Sequence, residues 1–322
     1  MSATNSKLQL SSLPENSDEL PAGRNIYIVR RALTVRLLKA MLVRARAIAP
    51  RWLYSAFQNV GFSLWKKGLR LLYSRKVLAA RLRGDREGFD TYRNVYRGMQ
   101  YSLVGSSGLE ATYRAALELL NDGIKGCFVE CGVAEGGCAA LLATVAQQES
   151  DRVTWLFDSF EGLPDPTAKD FVDPSRKITG ENIRPLERGS CLGTLDRVQD
   201  VLFGSFHLNR AKVHLVKGWF QDTLPIYRHK LGPLAMLRID GDWYESTKVC
   251  LENLFDQLVP DGYCIIDDYG TYHGCRRAVN EFLQDRNLRV QAASDGRGGI
   301  LFRKPASASS QDLEVQQSIA QL

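Results

Sequence analysis

The sequence predicts an α/β fold: a doubly wound, mostly parallel sheet with an antiparallel strand at its C-terminal end, preceded by a basic helical extension. Three observations predict it. Short apolar runs alternate with stretches of helical spacing from about residue 112 onward, the pattern of strand–helix–strand units. Several of these runs end in acidic residues, as expected where interior parallel strands meet a ligand crevice. Residues 24–83 carry 15 Lys/Arg and no Asp or Glu. That exceeds the net charge of +6, so the rest of the chain is net acidic and its basicity belongs to one segment.

Residues 1–23 are polar and Ser-, Asn- and Pro-rich, with little to bury, and are expected to be a disordered tail without a signal peptide. Residues 24–97 form the helical extension. At 100° per residue, Val35, Leu37, Leu38, Met41, Leu42, Ala45 and Ile48 gather on one side, with Arg36, Lys39, Arg44 and Arg46 opposite. Pro50 interrupts the helix, and Leu53, Phe57, Val60 and Leu64 resume the apolar stripe. Such a segment can pack on the main domain or on a second subunit, giving a homo-oligomer. It can lie on anionic lipid as a peripheral contact through residues 24–83, or it can bind a polyanion. Nucleic acid is disfavoured, since no zinc-finger spacing or RNA-binding aromatic motif accompanies the charge. The longest uncharged run in the first hundred residues, 52–65, has 14 residues and is too short to span a bilayer. The seven cysteines are scattered without C-x-x-C spacing, and Cys127, Cys131 and Cys264 fall on apparent strands. They read as free thiols of a reducing compartment, hence a cytoplasmic protein, with attachment to the inner face of a membrane as an option.

The α/β pattern begins after a helix over 112–120 that ends at Asn121-Asp122-Gly123, a good C-cap sequence. Residues 127–131 predict a strand, 132–137 a glycine-rich turn and 138–147 a helix of small and apolar residues. Strand, glycine turn and helix allow a nucleotide-like ligand to approach backbone. The turn is neither G-x-G-x-x-G nor a P-loop, which counts against dinucleotides and triphosphates. Residues 153–158 predict a second strand ending in Asp158, spaced from the turn as a ribose-binding acid is. Residues 159–195 hold four prolines and form a connection long enough to be a lid or substrate loop. Further strands are expected at 213–216, 234–240 and 263–267, with helices at 195–206, 247–258 and 274–284. Residues 288–292 and 299–302 predict a closing hairpin, and 304–322 a polar tail.

The densest chemistry lies in Leu237-Arg238-Ile239-Asp240-Gly241-Asp242 and Ile265-Ile266-Asp267-Asp268. Two strand ends about one strand–helix–strand unit apart each carry a pair of carboxylates. Several close carboxylates are tolerable mainly around a cation, and oxygen-only donors suit Mg²⁺, Mn²⁺ or Ca²⁺. Each acid alone could equally be a solvated turn or cap residue.

Taken together, these blocks resemble class I S-adenosylmethionine-dependent methyltransferases, which have a Rossmann-like sheet. Phe128-Val129-Glu130-Cys131-Gly132-Val133, Asp158-Ser159-Phe160-Glu161-Gly162-Leu163-Pro164, Lys217-Gly218-Trp219-Phe220, Asp240-Gly241-Asp242, Tyr244-Glu245-Ser246-Thr247 and Asp267-Asp268-Tyr269-Gly270 are similar to the macrocin O-methyltransferase family. The resemblance spans about residues 98–303, the expected methyltransferase domain, and leaves out residues 1–97. It implies an enzyme that uses S-adenosyl-L-methionine and Mg²⁺ to methylate a hydroxyl of a sugar, glycosylated natural product or glycan. By position, Glu130 and Gly132 would line the methionine end of the cofactor. Asp158, Ser159 and Phe160 would hold ribose and adenine, and Trp219 the adenine pocket. Asp240, Asp267 and Asp268 match the metal ligands, Asp240 doubling as general base. Asp242 would then be structural. Ala134-Glu135 and Trp243 depart from the residues commoner there.

Such chemistry needs no Ser, Cys or His nucleophile, because the methyl donor arrives activated. His273 alone among the histidines lies near a metal block and could touch substrate. Two alternatives stay open: the same metal site acting on a catechol or other phenol, and a non-catalytic membrane- or polyanion-binding protein on an α/β scaffold.

Overall fold

A computed structural model describes residues 8–9, 51–175, 177–180 and 183–306, with side chains from residue 67 onward. The amphipathic run 35–48, the tail beyond residue 306 and the side chains of the Leu53–Leu64 stripe lie outside what is described. The chain divides into two compact units, residues 13–75 and residues 1–12 with 76–322. In the first, helix α1 (Arg51–Leu82) starts directly after Pro50 and supplies residues up to 75. Among the described residues, no helix is long and apolar enough to cross a membrane.

The second unit holds the sheet. Helix α2 (Arg86–Gly98) starts where the Asp85 carboxylate accepts the Gly88 N–H at 2.9 Å. Helix α3 (Gly105–Asn121) is longer than its apolar spacing suggests; it ends as expected, with Gly123 at φ 69° and the Ile124 N–H on Leu119 O. The strands are β1 (Leu8–Gln9), β2 (Cys127–Cys131), β3 (Thr154–Asp158), β4 (Val213–Lys217), β5 (Leu234–Ile239), β6 (Leu258–Ile266), β7 (Gln291–Ser294) and β8 (Ile300–Arg303). Between them run α4 (Gly137–Ala146), α5 (Leu195–Gln199), which passes into a π turn at Asp200–Ser205, α6 (Phe220–Leu231), α7 (Tyr244–Leu254) and α8 (His273–Asp285).

The sheet order is β1-β7-β8-β6-β5-β2-β3-β4. Strands β4, β3, β2, β5 and β6 are parallel; β8, β7 and β1 are antiparallel. The expected doubly wound sheet with antiparallel closure is therefore present. All residues of β2 and β5 are buried, because helices cover both faces of a parallel sheet. Helix α4 is buried at nine of its ten positions, and its small residues permit this: a Cβ on Gly137 would lie 2.5 Å from Gly98 O. The first strand of the closing hairpin sits two to three residues further along than its β-propensity predicts, and the second sits one residue further along. The Asp295 carboxylate accepts the N–H groups of Arg297, Gly298 and Gly299, which tightens the turn and lets β7 run to Ser294.

Candidate active site

In an open α/β sheet, ligands bind outside the carboxyl ends of the strands where the strand order reverses. Here the chain builds β2, β3 and β4 outward, then returns to place β5 on the other side of β2. The two residues just past the ends of β2 and β5 meet. Asp240 N donates to Cys131 O at 2.8 Å, and a Cβ on Gly132 would fall 1.8 Å from Asp240 O. Gly132 also has φ 94°, so both space and backbone conformation require glycine.

On one side of that seam, β2, β3 and β4 present the expected cofactor residues. Asp158 Oδ2 accepts Val133 N at 2.7 Å and Ala134 N at 3.1 Å, and Oδ1 accepts Phe160 N at 2.6 Å. The acid expected at the ribose therefore also braces the glycine turn. A carboxylate has about four acceptor positions, so about one remains for a ligand hydroxyl. Burial raises the Asp158 carboxyl above its usual range, while these N–H groups pull it back. Ser159 Oγ accepts Glu161 N and donates to Gly162 O, shaping the start of the long loop. Phe160 is buried with φ 55°. Trp219 is half-buried at the start of α6; its neighbour Gly218 donates to Asp158 O, so both share this edge.

On the other side, β5 and β6 present the acids. Asp240, Asp242 and Asp268 each bring a carboxylate oxygen within 4.8 Å of the other two. Asp242 adopts φ 55°, and its N–H donates to Asp268 Oδ2 at 3.2 Å. Burial, then the neighbouring acids, hold the Asp242 and Asp268 carboxyls well above the usual range. Asp240 is raised as well, by burial and Asp267, with Arg238 opposing. Asp267 lies beside this trio, with both oxygens engaged: Oδ1 accepts Arg238 Nη2 and Oδ2 accepts Arg297 Nη1, each at 2.6 Å. Four aspartates thus converge, with Asp242 an integral member.

Glu130 and Arg238 tie the two sides together. Both are buried on interior strands and in register with each other. Arg238 Nη1 donates to Glu130 Oε1 at 2.8 Å and to Asp240 Oδ2 at 3.0 Å. Burial pushes the Glu130 carboxyl up to about 7 despite that arginine. Sequence reasoning missed Arg238, although the signal was there. A charge inside an apolar interior strand needs a buried partner, and Glu130 is the matching charge in β2. Arg297 was legible only as part of a turn.

The loop 159–195 is fastened over the β5 end. Asp170 is fully buried; its Oδ1 accepts Tyr244 N at 2.6 Å and its Oδ2 accepts Thr167 N at 2.7 Å. Asp170 thereby caps α7 from outside, which is why α7 starts at Tyr244 rather than Thr247. Trp243 is 2% exposed and its Nε1 donates to Pro164 O at 3.0 Å, so this departure from the usual residue anchors the loop. His273 N donates to Thr179 O at 2.7 Å, another loop attachment, at the start of α8.

Residues 32–304 match the macrocin-O-methyltransferase (TylF) family. The chain belongs to that family. The match starts well before residue 98, so it takes in most of the basic segment that the motif resemblance left out. Demethyldecarbamoylnovobiocin O-methyltransferase of Streptomyces niveus is 31% identical over 245 residues, 71% of this chain and 90% of the relative. An 8-demethyl-8-(2,3-dimethoxy-alpha-L-rhamnosyl)-tetracenomycin-C 4'-O-methyltransferase of Streptomyces olivaceus is 34% identical over 212 residues, 65% of this chain and 77% of the relative. Among solved structures, the O-methyltransferase NovP superposes with a TM-score of 0.56 at 28% identity, covering 64% of this chain and 83% of NovP. This member of the macrocin-O-methyltransferase family is an S-adenosylmethionine-dependent O-methyltransferase, and the crevice at β2 and β5 is its candidate active site.

Proposed function

We propose that this enzyme methylates a sugar hydroxyl of a glycosylated natural product, with a divalent cation held by its aspartates, Mg²⁺ first among them. The observation that carries the metal is the convergence of four aspartates past the ends of β5 and β6, with Asp240, Asp242 and Asp268 within 4.8 Å of one another and Asp267 beside them. All-oxygen donors pressed together in a buried place, with carboxyls raised by burial and by one another, fit a hard dication. The sugar acceptor is supported by the rhamnosyl compound in the name of the Streptomyces olivaceus relative.

Asp240, Asp267 and Asp268 would hold the cation. Asp267 can join although both its oxygens accept arginine bonds, because each oxygen keeps a second lone pair. When bound, S-adenosylmethionine supplies an electrophilic methyl group and the cation lowers the pKa of a nearby hydroxyl. Glu130 faces the methionine end, with Gly132 giving it room; Asp158 and Trp219 take the adenosine end. Arg238 stabilises the Asp240 anion through Nη1, so Asp240 is a weaker base than its position suggests. Asp242 accepts no arginine hydrogen bond among the described residues, so its carboxylate oxygens are the freer of the two to take a proton. We assign the hydroxyl proton to Asp242 and metal holding to Asp240. The loop fastened through Asp170 and Trp243 covers the β5 end and limits water there.

The deciding assay offers glycosylated and phenolic acceptors to the enzyme, with Mg²⁺ and with a chelator. Methylation of glycosides that stops on chelation is expected. Turnover on phenols alone would overturn the acceptor class, and chelator-insensitive turnover would overturn the metal.

A further inference from the structure

The geometry points to Arg238 as a positioning residue that ties cofactor binding to cation binding. This rests on the function proposed above. The guanidinium lies on β5, the central strand between the two halves of the site, and is fully buried. It bonds three carboxylates on three adjacent strands or their ends: Glu130 of β2, Asp240 after β5 and Asp267 after β6. One nitrogen, Nη1, serves both Glu130 and Asp240. Among the described residues Nε has no hydrogen-bond partner, so the placement of the group is set by these carboxylates.

Neutralising one buried acid needs one arginine contact. Here the contacts span the proposed cofactor and metal positions instead. The guanidinium is planar and its donors have fixed directions, so it cannot turn toward one carboxylate without moving away from another. At full burial no water takes over a bond that is lost. A ligand that draws on Glu130 therefore alters the hold on Asp240 and Asp267, and the reverse. Thermodynamics makes the effect reciprocal: whatever factor the cofactor imposes on the cation, the cation imposes on the cofactor.

Calorimetric binding of S-adenosylhomocysteine and of Mg²⁺ to the full chain tests this. Glu130→Gln is expected to weaken Mg²⁺ about fivefold, in addition to weakening S-adenosylhomocysteine. Asp267→Asn is expected to weaken S-adenosylhomocysteine by a similar factor, in addition to weakening Mg²⁺. Asp268→Asn removes the same charge from a residue that Arg238 does not touch. It should weaken Mg²⁺ and leave S-adenosylhomocysteine within about twofold. Arg238→Lys keeps the charge but loses the fork, and should weaken both ligands; if it does not fold, the other three variants still decide. One-sided effects of Glu130→Gln and Asp267→Asn would overturn the linkage. So would an Asp268→Asn effect on S-adenosylhomocysteine equal to that of Asp267→Asn, which would be general electrostatics. A wild-type chain that binds S-adenosylhomocysteine but no Mg²⁺ overturns the metal reading itself, a distinguishable result.

Discussion

The two sides of the β2–β5 seam solve opposite problems. On the β2–β3–β4 side the single acid at the strand ends, Asp158, is met by three backbone N–H groups. The turn on that side is held in shape before any ligand binds. On the β5–β6 side four aspartates meet two arginines, and three of the acids carry carboxyls raised by burial and mutual repulsion. That surface is short of positive charge. Where backbone can satisfy an acid, the site is preformed; where acids outnumber their donors, the site is poised for a cation.

Asp240→Asn tests this contrast most severely. Turnover should fall about 10³-fold or more, while S-adenosylhomocysteine affinity falls only about fivefold, the effect expected of an acid that shares Arg238 with Glu130. An equal loss of cofactor affinity would mean that the two sides are not separable at Asp240. Next is Gly132→Ala, where the new Cβ meets Asp240 O at 1.8 Å and φ is 94°. Urea unfolding should show a loss of about 2–4 kcal/mol, whereas Gly204→Ala, with nothing within 4 Å, should cost little. A tolerated Gly132→Ala would show that the seam is not tightly closed.

Two pH experiments sharpen the comparison with smaller effects. Glu130 is held near 7 by burial, so its anion is lost as the pH falls through that value. Affinity for S-adenosylhomocysteine, whose ammonium favours the anion, should decline below pH 7 by up to about tenfold per unit. Glu130→Gln should remove that slope; a slope that persists would place the titrating group elsewhere. For Asp240, Asp242 and Asp268 the folded-state values are raised. Such groups favour the folded state while protonated, and that contribution is lost as the pH rises through the raised values. Mg²⁺ should therefore raise the melting temperature by a few degrees near pH 8 and by less near pH 5, as followed by scanning calorimetry. An equal shift at both would argue against carboxylate ligation.

Much of the fold was legible because its signals are local. The apolar runs of β2, β3 and β5, the Asn121-Asp122-Gly123 stop and the glycines of the 132–137 turn depend on residues adjacent in sequence. What was missed depends on residues far apart. Helix α2 falls within the expected 24–97 extension, but it is strongly amphipathic rather than apolar, so its own bounds did not stand out. The start of α7 moved because Asp170, 74 positions away, supplies the cap that Trp243 does not.

By itself, the sequence determined the doubly wound sheet, the crevice at its strand ends, the family, and which acids stand there. Strand periodicity, glycine turns and motif order are properties of the chain read in order. Only the tertiary structure decided how those acids share their donors. It committed both oxygens of Asp267 to arginines, drew Asp242 into the trio, and put Arg238 against carboxylates from both sides. Those outcomes arise from burial in register between neighbouring strands. There each carboxylate must find a partner within hydrogen-bonding distance, and sequence separation does not say which partner that is.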